Sequence, residues 1–240
     1  MARFQRHDGR RPGDLRPAKI EVDFIPSASG SCLISLGATR VICTASFVPG
    51  VPAWLAGRGK GWLTAEYGML PASTSTRTRR PTLKPDGRAT EIQRIIGRVL
   101  RSVVQMDKLG ENTIYLDCDV IGADGGTRTA SITGAYVALA RALAGARQKG
   151  QVGPGVLSGG VSAVSVGIFD GKAVLDLDYP EDSRAEVDMN VALTTEGRYV
   201  EVQGSAEHGA FTHDQLEEML TLARRGCRQL AALQRKAIAE

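Results

Sequence analysis

Hydrophobic positions along the chain change period several times, and each change marks an element. Residues 31–37 and 39–47 are β-rich apolar runs separated by a Gly-containing turn, and they predict a pair of strands. A third short strand is predicted at 62–70, after a loop at 57–61. The segment 71–87 has no apolar period; alternating Ser and Thr, with Arg77, Arg79 and Arg80 among them, predict an exposed basic loop. Ile92, Ile95, Ile96, Val99, Leu100 and Val103 then recur at three- and four-residue spacing, which predicts a helix with Arg88 near its start. Alternation returns at 113–121 as a strand, the Gly-rich run 122–126 ends it, and small helix-compatible residues at 129–144 predict a second helix.

Beyond a Gly-rich linker at 150–160, strands are predicted at 161–169, 173–177, 187–193 and 199–202. A closing helix carries Leu216, Met219, Leu220, Ala223, Cys227 and Leu230 on one face, and Thr212 with Gln215 has the spacing of a capping box. Residues 1–17 are polar, Arg-rich and broken by Gly9, Pro12 and Gly13, so they read as an extended arm before the core. This order of elements lacks a regular βαβ alternation and places the chain among mixed α/β layer proteins.

With 240 residues, 42% of them hydrophobic, the chain can bury a sizeable core as one large domain or two small ones. A net charge of +4 permits a polyanionic partner without requiring one. Of the 30 basic residues 23 are Arg, whose planar fork suits phosphate, although a general compositional bias produces the same excess. Cys32, Cys43, Cys118 and Cys227 lack any metal or redox spacing and read as small buried hydrophobes. No N-terminal apolar leader is apparent, and no apolar run reaches the roughly 18 residues of a membrane span. A cytoplasmic setting is expected.

Two stretches carry candidate chemistry. Gly125-Gly126-Thr127-Arg128-Thr129 lies at a strand-to-helix junction, where converging N–H groups, a hydroxyl and a guanidinium suit an anion; the competing reading is a Gly turn capped by Thr127. Arg88 opposes the dipole of its own helix, so a bound anion accounts for it better than helix stability does, against the alternative of an exposed Arg. The second stretch, 176–190, crowds carboxylates around a turn, a costly arrangement unless a cation or a proton-transfer task compensates it. Asp176 and Asp178 are expected on one strand face, Glu186, Asp188 and Asn190 on the returning strand, and Asp182 in the connection. Such oxygens suit Mg²⁺ or Mn²⁺, and a hydrated acidic hairpin is the alternative. His7, His208 and His213 are too scattered for a catalytic His, and no Ser or Cys nucleophile motif occurs.

Together with Arg6-His-Asp-Gly-Arg10, the run 61–71 and the run 88–98, these stretches resemble the ribonuclease PH family of phosphorolytic exoribonucleases nearly end to end. The resemblance implies an α+β fold, a two-layer β-α-β-α sandwich related to the second domain of ribosomal protein S5, with residues 1–240 forming one catalytic domain and 1–17 its arm. It implies a homohexameric ring built as a trimer of dimers. It also implies attack of inorganic phosphate on the 3′-terminal phosphodiester of RNA, which trims tRNA precursors in the 3′ to 5′ direction and releases nucleoside diphosphates. By the same resemblance Arg88, Gly126, Thr127 and Arg128 bind phosphate, and Asp182 and Asp188 are the catalytic acids with Mg²⁺ as their metal. Arg77, Arg79 and Arg80 hold the RNA. The roles of Asp176, Asp178 and Glu186 stay open, as does the choice between metal binding and proton transfer for the acidic pair. A ring subunit of an exosome-like assembly and a non-enzymatic RNA-binding protein are the rival readings.

Overall fold

A computed structural model describes residues 4–80, 86–207 and 209–239. Residues 1–3, 81–85, 208 and 240 lie outside the described residues, and with them the start of the arm, part of the basic loop and His208. The first half forms β1 (Ala18–Val22), β2 (Gly30–Leu36), β3 (Thr39–Pro49), β4 (Trp62–Met69), α1 (Gly87–Arg101), α2 (Met106–Leu109), β5 (Asn112–Gly122) and α3 (Thr127–Gln148). The second half forms β6 (Val161–Phe169), β7 (Lys172–Leu175), α4 (Tyr179–Asp182), β8 (Val187–Thr194), β9 (Tyr199–Ala206) and α5 (His213–Ala239).

The strands make a five-stranded sheet ordered β1-β2-β3-β5-β4 and a four-stranded sheet ordered β7-β6-β8-β9. All neighbours are antiparallel except β4 and β5. Helix α3 packs on β2 and β3 of the first sheet and on β6 of the second, whereas α5 packs on β6, β7 and β8. The expected β-α-β-α layering is therefore present. One hydrophobic cluster runs through both sheets.

Two sheets on α3 explain its composition. A helix buried nearly all round has no polar face to set a period, and Ala, Gly, Ser and Thr let both sheets approach it closely. A Cβ on Gly134 would meet Cys43 Sγ at 2.7 Å and Ile34 Cγ2 at 2.8 Å, so glycine is required there. Cys32, Cys43 and Cys118 lie side by side in register on this sheet, free and buried, and Cys227 is on the buried face of α5, as expected of small hydrophobes. Hydrogen bonding with the neighbouring Cys118 and Cys32 thiols, and then burial, hold Cys43 well above the usual thiol range, so it stays protonated.

The capping box of α5 is formed, with Gln215 N–H donating to Thr212 Oγ1 at 3.2 Å and Thr212 N–H to Gln215 Oε1 at 2.9 Å. Three local expectations need correction. Strand β1 escapes the sequence pattern because it is a five-residue edge strand with only Ile20 buried. Helix α3 begins at Thr127 rather than at 129, so Thr127 is its first residue and not its cap. The acidic stretch is not a hairpin: β7 ends at Leu175, Asp176 adopts φ +56°, and Asp178 caps the single turn α4.

Candidate active site

A cleft of about 480 Å³ opens where the N-terminus of α3 meets α4 and β8, and it gathers Arg88, Gly126, Thr127, Arg128, Asp182 and Asp188 on one surface. Larger grooves along α5 contain none of these residues.

Its anion side is built by backbone geometry. Gly125 and Gly126 take φ of +73° and +66°, a left-handed pair that turns successive N–H groups towards one point ahead of the 22-residue α3. A Cβ on Gly125 would meet Leu177 O at 2.5 Å and the Asp178 Cα at 2.9 Å, so the turn lies directly on the backbone of the acidic stretch. The Thr127 hydroxyl shares a 2.9 Å hydrogen bond with the buried Tyr67 hydroxyl. Arg128 Nη1 donates to Gln203 Oε1 at 2.7 Å, and the Gln203 amide donates to Glu91 Oε1 at 2.7 Å. Arg88 is exposed at the second position of α1, behind the cap formed by Asp86.

The acidic side separates into two groups. Asp176, Asp178 and Glu181 are buried and paired with the arm. Arg6 donates to both oxygens of Glu181 and to the carbonyls of Leu175 and Asp176. Arg16 donates to Asp176 Oδ1 at 2.7 Å and Oδ2 at 3.0 Å, and also reaches the Asp124 and Gly125 carbonyls beneath the glycine turn. Arg10 lies 3.3 Å from Asp178, and His7 Nε2 lies 2.7 Å from it. The hydrated hairpin is thus overturned for these three residues: guanidiniums compensate the charge, and the arm packs into the core. Glu186 is exposed and accepts from Gly171 N–H at 2.8 Å, a local turn contact.

Among the described residues Asp182 and Asp188 have no guanidinium paired with them. Asp182 ends α4, while Asp188 stands on β8 opposite Gly167 and Ser205, with the Asn190 amide donating to it at 3.4 Å. Burial and the neighbouring Asp182 push Asp188 up to about 6, against the opposing pull of Arg128 and Asn190. Burial raises Asp182 as well, with Arg88 and Arg128 opposing. A partly buried carboxylate pair raised in this way fits a hard divalent cation bound through one or two carboxylates, with further oxygens coming from substrate and water. His7, Asp178 and Glu181 also come within 4.8 Å of one another, but Arg6 and Arg10 already occupy those carboxylates.

The basic loop is only partly at the cleft. Thr74, Ser75, Thr76 and Thr78 line it, whereas Arg77, Arg79 and Arg80 are exposed beside it and belong to no part of its lining. Sequence reasoning missed Tyr67, Ser165, Tyr179 and the buried arginines Arg6 and Arg16. A signal was present for the arginines alone, in the basic arm that complements the acidic stretch.

The matches with known proteins agree with this layout. The model of domain 1 of the 3′ exoribonuclease family matches residues 14–144, and that of domain 2 matches residues 159–226. Ribonuclease PH of Corynebacterium glutamicum strain R is 53% identical over 237 residues, covering 98% of this chain and 97% of the relative. Rice Rrp46 superposes with a TM-score of 0.79 at 18% identity, covering 97% of this chain and all of the other. An Archaeoglobus fulgidus exosome with RNA bound to the active site superposes with 0.79 at 22% identity, covering 95% and 92%. At such identities these two speak to the fold alone. The two family matches and the relative sharing half its residues establish that the chain belongs to the ribonuclease PH family of 3′ exoribonucleases.

Proposed function

We propose that the chain is a phosphate-dependent 3′ to 5′ exoribonuclease, a tRNA nucleotidyltransferase that trims tRNA precursors and releases nucleoside diphosphates. The observation that carries it is the meeting of an anion cradle and an unpaired carboxylate pair in one cleft. Inorganic phosphate is itself the nucleophile, so the protein has to orient it and neutralise charge, and no Ser or Cys nucleophile is needed. Gly126, Thr127, Arg88 and Arg128 orient the attacking phosphate. Asp182 and Asp188 would hold Mg²⁺, which would supply charge neutralisation at the scissile phosphate. The alternative role for Asp188, free of metal and raised to about 6 by burial and Asp182, is to hold a proton for the leaving 3′ oxygen. Arg77, Arg79 and Arg80 hold the RNA backbone by charge, outside the reacting cleft.

The whole of 1–240 acts as one catalytic unit, since the anion turn comes from the first matched segment and the carboxylates from the second. We place it in the cytoplasm as a homohexameric ring. The four cysteines are free and buried, and no helix among the described residues is long and apolar enough to cross a membrane. Incubating the protein with a 3′-extended tRNA, with and without phosphate, tests the reaction. Nucleoside diphosphates are expected only with phosphate; monophosphates released without it would mean hydrolysis. Binding without turnover would favour the non-catalytic rival.

A further inference from the structure

We propose that Tyr179 is a stacking platform for the base at the RNA 3′ end, an assignment that rests on the phosphorolytic reading above. Tyr179 is 63% exposed, more than any other large apolar side chain left at the surface among the described residues. It belongs to neither hydrophobic cluster, so the fold gains little from its ring. Of those exposed side chains it alone lines the cleft. It opens α4 and stands three positions before Asp182, on the same side of that single turn.

The backbone beneath the ring is fixed from three directions. Tyr179 N–H donates to Asp124 Oδ1 at 3.2 Å, which ties it to the residue before the glycine turn. Pro180 follows it and fixes the next φ. Asp178 and Glu181 close a capping box around the turn, and Glu181 is locked in place by Arg6. Only the two side-chain torsions of Tyr179 remain to be ordered, so a base stacks on it at small entropic cost. The apolar Met69 and Ala123 also reach this cleft, while the charged cradle lies at Gly126 and Arg128. The cleft therefore offers a π-face to a base as well as charge to a phosphate.

Stacking on this ring reads no sequence, and neither do the hydroxyls beside it. The side-chain hydrogen-bonding groups that 74–78 brings to the cleft are the hydroxyls of Thr74, Ser75, Thr76 and Thr78, and a hydroxyl donates or accepts as required. Every base has a π-face, so all four are accepted, with purine ends held more tightly than pyrimidine ends.

The test uses the full chain and RNA oligonucleotides carrying 2-aminopurine at the 3′ terminus, in phosphate-free buffer so that the end stays intact. Binding to the unaltered protein is expected to quench the fluorophore. Tyr179→Ala is expected to lose the quench and to raise KM for RNA about 5- to 150-fold, the change that corresponds to one lost base stack. Its KM for phosphate should not move, and its preference for purine ends should collapse. Tyr179→Phe should retain all three properties. Unchanged quenching and RNA KM in Tyr179→Ala would overturn the platform, as would equal impairment of the Phe and Ala variants, which would assign the effect to the hydroxyl. Loss of phosphate-dependent release by the unaltered protein would instead remove the phosphorolytic reading.

Discussion

Asp188 is held where its charge is expensive, and that expense shapes both stability and function. Its carboxyl titrates near 6 in the folded protein against about 3.9 in an unfolded chain. The folded state thus binds the proton more tightly, and this group's stabilising contribution is complete below about pH 4 and lost as pH rises through 6. By pH 7 the loss is at most about 3 kcal/mol in metal-free protein. Asp188→Asn removes the charge, so the variant is expected to be more stable than the parent in urea at pH 7 with a chelator present, and equal to it near pH 4. Its turnover should fall about 10²- to 10⁴-fold with RNA binding retained. An undiminished rate would take Asp188 out of the mechanism. Because the proton competes for the same oxygens, affinity for Mg²⁺ should also weaken as pH drops below about 6. None of this distinguishes Asp188 from Asp176 or Glu186 in the sequence, where all are carboxylates in one run. The fold separates them: arginines reach Asp176, Glu186 is exposed in a turn contact, and Asp188 is the one that lines the cleft.

At the scale of elements, the anion turn and α4 are set against each other by Gly125. A methyl group there would overlap the Leu177 carbonyl at 2.5 Å, and backbone does not yield as a flexible side chain does. Gly125→Ala also places alanine at φ +73°, a second strain. The variant is expected to raise KM for phosphate and lower kcat together, by tenfold or more, because both sides of the cleft move. A change in only one of these constants would show that the two sides are not coupled through this contact. The elements most legible in the sequence were those specified locally: β6 falls at 161–169 as its apolar run predicts, and the Thr212–Gln215 pair caps α5. Helix α4 was not legible, since four residues with Pro180 among them have no period to read. The candidate site was legible in part, because Gly126, Arg128 and Arg88 announce an anion through their place at helix starts. The arm was not: Arg6 and Glu181 are 175 positions apart, and two polar stretches read separately as solvated.

For the whole molecule, the arm and the acidic stretch form a buried lattice of ion pairs in which each charge is needed by its partner. Removing one member leaves the other stranded, typically at a cost of about 3–5 kcal/mol. The outer surface leaves apolar side chains bare: Trp54 is 57% exposed and stacks edge-on against Trp62 at 5.0 Å, and Phe24 and Val48 are exposed as well. A ring would be expected to cover apolar area of this kind. Sedimentation equilibrium should therefore give a mass near six times 25.5 kDa, and a single-chain mass would contradict the ring.

The lattice also sets a time at which this protein can first act. Arg6 leaves the ribosome long before Glu181, and the turn carrying Asp182 gains its Arg6 anchor only once those two meet. The glycine turn itself is held from the first half of the chain, by Thr39 through the Gly125 carbonyl and the Asp124 N–H. A growing chain therefore lacks its complete cleft until Asp188 has been made and the arm has closed on the turn before it.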